Sequence, residues 1–151
     1  MLQNLFAILL LLGFLMNGFH DWIDIPGWTH GRQVRAAVGR KKMLIGTAVN
    51  GIFPGLAAAL AIYYWHTPAP SGVRDYWLIY CAVGVIGAIA MWWIPYFRGT
   101  DQKTKDLYAK MCAGTIQVLP PRGDNPRPNL FHLVLHALGA TSLILATAIW
   151  L

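Results

Sequence analysis

Residues 130–151 read LFHLVLHALGATSLILATAIWL, 22 positions without a single Lys, Arg, Asp or Glu. At about 1.5 Å per residue a helix of this length crosses roughly 30 Å of hydrocarbon, so composition alone marks the run as a transmembrane helix. Working outward, residues 2–20, 43–65 and 76–97 share the pattern and are equally free of Lys, Arg, Asp and Glu. None shows the short alternation of barrel strands, and hydrocarbon cannot satisfy open backbone groups, so each is expected to be helical. The expectation is an all-α integral membrane protein. It comprises a single domain over residues 1–151 with four transmembrane helices, and short interfacial helices in the two long loops.

Composition agrees. The chain has 151 residues, of which 56% are hydrophobic and only 12% charged, against about a quarter charged in soluble proteins. Mean hydropathy is +0.47. There is no Glu, and all acid comes from six Asp, which removes chemistry built on clustered glutamates such as carboxylate-bridged di-iron centres. Cys81 and Cys112 form no C-x-x-C, which removes dithiol exchange and zinc knuckles. A net charge of +6 and a pI of about 9.6 in so apolar a chain point to anionic lipid headgroups, and no nucleic-acid partner is expected.

The positions of the cations set the expected orientation. Arg32, Arg35, Arg40, Lys41 and Lys42 lie between the first and second spans, and six more lie between the third and fourth, whereas the connection after Trp65 holds only Arg74. Eleven basic residues against one place both long loops in the cytoplasm and both termini outside, in a bacterial-type inner (plasma) membrane. The five cations of the first loop are the expected headgroup contacts. Residues 2–20 carry no positive n-region or small-residue cleavage site, and so read as a retained helix rather than a secretory signal.

In the first loop Pro26-Gly27 is expected to stop the first helix, Thr29 to cap a short helix through Val38, and Gly39 to end it. In the second, Thr100 is expected to cap a helix with Asp101 in its first turn and Gly114 to close it. Residues 119–128, LPPRGDNPRP, hold four prolines and should be stiff and non-helical. Their Arg-Gly-Asp triplet then faces the cell interior, which removes an adhesion role.

Polar groups inside the spans are costly and therefore point to function. Gly13, Asn17, His20 or Asp21, and Asp24 recur at helical spacing along the first span; Thr47, Asn50, Pro54, Ala58 and Ala61 do so in the second. In the fourth, His132 and His136 are four apart and share a face with Gly139. Asn50 and His136 fall seven and six residues past the starts of their spans, and Asn17 and His20 close the first. The expectation is one cytoplasm-facing polar pocket of Asn17, His20, Asn50, His132 and His136. Asn17 and Asn50 equally suit hydrogen bonds between helices, and His136 a packing role.

Two chemistries fit the histidines. His132 and His136 can bind one metal, with His20, Asp21, Asp24 or Asp124 completing a Zn or Fe set; alternatively, either can face His20 across a haem. Both readings make a membrane enzyme the alternative to a protein that acts by binding or assembly. H-x-x-x-H lacks the glutamate of H-E-x-x-H, and Ser142 lies on the far side of its helix from His136. In length and span number the chain resembles the membrane glutathione-transferase and eicosanoid family, which implies a four-helix architecture. That family's Glu and Arg site residues have no counterpart here, so no activity follows. Gly51 with Gly55, Gly84 with Ala88, and Gly139 with Leu143, bordered by the further small residues Ala140 and Ala146, are expected to mediate close helix contact, within the protein, in a homo-oligomer, or with other subunits of a membrane complex.

Overall fold

The computed structural model describes residues 1–151. Helix α1 spans Leu2–Phe19, α2 Gly31–Val38, α3 Arg40–Tyr63 and α4 Ser71–Ala88. A π turn, Ile89–Trp93, carries α4 into α5, Ile94–Arg98; α6 spans Gln102–Met111 and α7 Leu130–Trp150. Four helical segments, Leu2–Phe19, Arg40–Tyr63, Ser71–Arg98 and Leu130–Trp150, are long and apolar enough to cross a membrane.

The second and third begin ahead of their apolar runs, for identifiable reasons. The second begins at Arg40, because after Gly39 nothing in Arg40-Lys41-Lys42 opposes helix. The third begins at Ser71, directly after the extended Pro70. Its first five residues include Arg74 and Asp75, which hydropathy alone leaves outside. Arg74 donates to the carbonyls of Ile149 and Trp150, both at 3.3 Å, and Asp75 accepts from Trp150 Nε1 at 2.7 Å. The unpaired end of α7 is thereby satisfied. Within the third segment Pro95 cannot donate to the carbonyl of Met91, and Tyr108 of α6 supplies the missing donor at 2.7 Å. The π turn sits beside this break.

Helix α1 packs between α3 and α7, and α4 packs on α7, with α3 and α4 meeting over a shorter length. The dry core lies toward the end that holds the α3–α4 connection. There Ala57, Ala58 and Ala61 let α1 approach α3 closely, and Phe6 and Trp77 fill the centre. Trp77 Nε1 donates to the Ala57 carbonyl at 3.2 Å, and its ring meets Phe6 at 5.3 Å edge-on. Gln3 ties α1 to the carbonyls of Tyr64 and Thr67.

At the opposite end the two long loops fold into one cap. Helix α1 stops at Phe19, well before Pro26-Gly27, as the His20 ring takes its last carbonyls: Nδ1 lies 3.1 Å from Met16 O and 3.0 Å from Asn17 O. Pro26-Gly27 instead makes the turn of a hairpin, β1 Asp24–Ile25 paired antiparallel with β2 Thr29–His30, with Gly27 at φ 77°. This two-residue ladder is the departure from an all-helical chain. Thr29 is not a helix cap; its Oγ1 donates to Ile23 O at 2.6 Å and accepts from Ile25 N at 3.2 Å, closing the hairpin. In α6 the cap is Asp101 rather than Thr100, accepting from Thr104 N at 3.0 Å. Those hydrogen bonds hold the Asp101 carboxyl below its ordinary range.

Helices α2 and α6 pack together. Ile116 N donates to Gly27 O at 2.7 Å and Leu130 N to Ile116 O at 2.9 Å, stitching both loops to the start of α7. The proline-rich segment is pinned by Tyr96 OH on Pro120 O, Asn125 Nδ2 on Tyr96 O and Arg127 Nη1 on Leu119 O. Its Arg-Gly-Asp triplet is an exposed turn held to the cap by two side chains: Arg122 lies over the Phe97 ring at 4.8 Å and Asp124 pairs with Lys105.

The small-residue pairs behave differently from expectation. At Gly55 an added Cβ would meet Phe14 at 3.1 Å, which is close packing, but at Gly51, Gly84 and Gly139 it would meet nothing within 4 Å. Gly84, Ala88 and Gly139 line a cavity instead of touching a neighbouring helix.

Candidate functional site

Below the dry core the helices part around a cavity of about 630 Å³. It reaches along α7 from Phe131 to Ser142, eleven residues or roughly 16 Å of helix. Its deep end is set by Leu10 of α1, Tyr80 and Cys81 of α4, and Ser142. The glycines make its width: Gly13, Gly84, Gly87 and Gly139 all border it, and no Cβ contact would exist at any of them. Toward the cap it is bounded by Trp28, His30, Tyr108 and Thr115 from the two loops.

Asn17, His20, Asn50, His132 and His136 all border this one cavity, brought there by α1, α3 and α7. They do not form a single hydrogen-bonded cluster. His132 and His136 are 6.2 Å apart by ring centroid, and His20 is 5.8 Å from His132. Asn17 and Asn50 make no side-chain hydrogen bond across the cavity, so the expected interhelical bonds are not formed between them.

Each imidazole has its own state. His132 Nδ1 lies 2.7 Å from Asn129 Oδ1, an atom that also caps α7 by accepting from His132 N at 3.0 Å. An amide oxygen only accepts, so Nδ1 carries the proton and Nε2 is left as an acceptor. His20 has an acceptor beside both nitrogens, two carbonyls at Nδ1 and Asp21 Oδ1 at 3.1 Å from Nε2. Its ring therefore has a partner for each N–H when protonated. His136 has none: its Nδ1 is buried without a partner. A buried ring nitrogen left bare costs on the order of 1–3 kcal/mol, which a bound ligand or water would offset.

No three His, Cys or Asp side chains gather into a ligand set. His20 and Asp21 are engaged with each other, Asp24 binds Arg32 at 2.6 Å on the hairpin, and Asp124 binds Lys105 at 2.7 Å in the cap. Around the histidines, Trp92 lies 3.9 Å from the His132 ring and Phe131 stacks on His20 at 5.0 Å.

Sequence reasoning missed Trp92, Tyr108 and His30 as cavity residues. Trp92 reads as an interfacial anchor, and the π turn at Ile89–Trp93 is what places it over His132 and 6.4 Å from His136. His30 Nε2 is buried and unpartnered, beneath Gly114, where a Cβ would come within 3.2 Å of it. Only the folding of the loops over the bundle brings His30 there. Among the five loop cations, Arg32 is paired with Asp24, and Arg35, Arg40, Lys41 and Lys42 are exposed.

No protein-family model, curated protein or solved structure matches the chain. The chain is a mostly helical protein with four helices long and apolar enough to cross a membrane, and it encloses a cavity with a mostly apolar lining and imidazoles in its upper wall.

Proposed function

We propose that the chain is an integral protein of a bacterial-type inner membrane and that it acts by binding an amphipathic small molecule inside its helix bundle. The observation that carries the reading is His136, unpartnered at Nδ1 in the wall of a cavity of about 630 Å³ whose lining is mostly apolar. A volume of this size suits a small-molecule ligand, and a few polar groups on apolar walls are what such sites use to fix orientation. The ligand's apolar part occupies the glycine-widened end toward Ser142. A hydroxyl group, able to donate to His132 Nε2, meets His136, His132 and the two asparagines.

Membrane insertion is supported by the outer faces, which leave Leu12, Ile45, Ile52, Ile79, Val83 and Ile144 exposed along the four long helices, far beyond what a water-soluble monomer carries. The orientation puts the cap, with eleven of the twelve basic residues, on the cytoplasmic side. Helices α2 and α6 lie at headgroup level there, with Arg35, Arg40, Lys41 and Lys42 toward lipid phosphate. In sealed cells, an impermeant thiol reagent should leave Cys112 unmodified from outside and reach a cysteine placed at Ser71; the reverse pattern contradicts the orientation.

Ligand binding is tested with monoolein, a neutral monoacylglycerol, on detergent-solubilised protein. At a hundredfold excess over Kd it should stabilise the wild type by about 2.7 kcal/mol. Gly139→Leu points a side chain into open space. It should leave the free protein as stable as wild type or about 0.5–1 kcal/mol more so, through helix propensity, and abolish the monoolein shift. An equal shift in both proteins rejects the cavity as the binding site. As a subunit of a larger membrane complex or a homo-oligomer, the protein would present this bound molecule to its neighbours.

A further inference from the structure

A second, smaller cavity of about 350 Å³ lies in the cap and shares Tyr108, Cys112 and Thr115 with the main one. Its character is different: Lys105, Arg127, Gln117, Asn125 and Asp124 line it. We propose that this cationic pocket is a phosphate site, and that it takes the head of the same amphipathic ligand whose apolar part fills the main cavity. The inference rests on the binding reading above and narrows the ligand to a lipid bearing a terminal phosphate.

Four features carry it. Lys105 is drawn in from solvent, its side chain only 18% exposed, and its Nζ holds Asp124 Oδ1 at 2.7 Å. Arg127 spends one N–H on the Leu119 carbonyl at 3.1 Å, and a guanidinium has five, so a donor edge remains. Gln117 Oε1 is buried with no donor, a partner that a P–OH or a glycerol hydroxyl provides. Asp124 is the resident anion. It stands 68% exposed beside Gly123, whose φ is 58° and against which nothing packs, at the tip of the turn closed by Asn125 N on Arg122 O. The Lys105 hydrogen bond holds its carboxyl below the ordinary range, so Asp124 is a carboxylate at neutral pH. A phosphate monoester, with more charge and three acceptor oxygens, displaces this carboxylate from Lys105 and bridges to Arg127. The carboxylate on its turn then swings toward solvent.

The geometry makes opposite demands on the two partners of one ion pair. Calorimetry on the detergent-solubilised protein should use three probes: lysophosphatidic acid, the monoacylglycerol of the same chain, and inorganic phosphate. Lysophosphatidic acid should bind at least about tenfold more tightly than the monoacylglycerol. Lys105→Gln and Arg127→Gln should each remove most of that difference while leaving monoacylglycerol affinity unchanged, which also shows that the variants are folded. Asp124→Asn should tighten lysophosphatidic acid, because the competing anion is gone. Equal affinity for charged and neutral amphiphiles, or indifference to Lys105→Gln, overturns the phosphate site while the main cavity stands. Binding of inorganic phosphate without lysophosphatidic acid overturns the shared ligand and points to a free phosphate. If neither amphiphile binds, the cavity reading itself fails and this inference with it.

Discussion

Trp77→Ala should be the most damaging single substitution in the helix bundle, lowering stability in detergent by about 3–5 kcal/mol, or on the order of 10 °C in Tm. Trp77 is fully buried, its Nε1 bonds the Ala57 carbonyl, and its ring edge meets Phe6, itself fully buried. The loss comes from packing. In a membrane the transfer of an indole from lipid to protein gains little, so the energy lies in dispersion contacts and in the void that three alanines of α3 cannot collapse to fill. Thermal unfolding of Trp77→Phe beside Trp77→Ala separates the two parts. Phenylalanine should restore about half the loss, since it fills most of the volume but not the hydrogen bond. A Trp77→Ala protein as stable as wild type would mean that the core is not where the structure puts it.

Gly31→Ala should have the second largest effect, through sterics alone. An added Cβ would lie 2.6 Å from Asp21 O and 2.8 Å from Trp22 C, both backbone atoms with no rotamer to yield. Overpacking of this kind costs about 1–3 kcal/mol. Here it pushes α2 off the segment that follows His20, and with it His30 and Thr29. Melting of Gly31→Ala should show loss of the cap before the bundle, read as early proteolysis in the two loops with the core Trp77 environment intact. Gly39→Ala, with a φ of 82° but nothing within 4 Å, should cost less than Gly31→Ala. The reverse ranking would refute the close approach at Gly31.

The four long helices were legible because an apolar run of about 20 residues has one structural outcome in hydrocarbon. Their ends were less so. Arg74 and Asp75 lie inside α4 because they find partners at the end of α7, and that partnership is tertiary. The stripe Gly13, Asn17, His20 and the pair His132, His136 were legible as a shared face by helical spacing alone. Asp24 was grouped with that stripe, but the helix ends at Phe19, so the spacing no longer applies and Asp24 turns to Arg32. The glycines show the limit of motif reading. G-x-x-x-G spacing says that a helix face is small, not whether a neighbour approaches it, and only Gly55 has such a neighbour in Phe14. Gly84 and Gly139 leave room, and the room became the cavity, whereas Gly51 borders neither a neighbouring helix nor the cavity. His30 and Tyr108 reached it through contacts between loops some eighty residues apart in sequence, which no local pattern encodes.

Native mass spectrometry of the detergent-purified protein tests the central claim most directly. On the present account the wild type retains a single amphipathic molecule, one per chain, or takes up one on incubation with monoolein or lysophosphatidic acid, whereas Gly139→Leu retains and takes up none. A wild-type protein that stays free of adduct under both conditions, or a Gly139→Leu protein that carries as much as wild type, would contradict it.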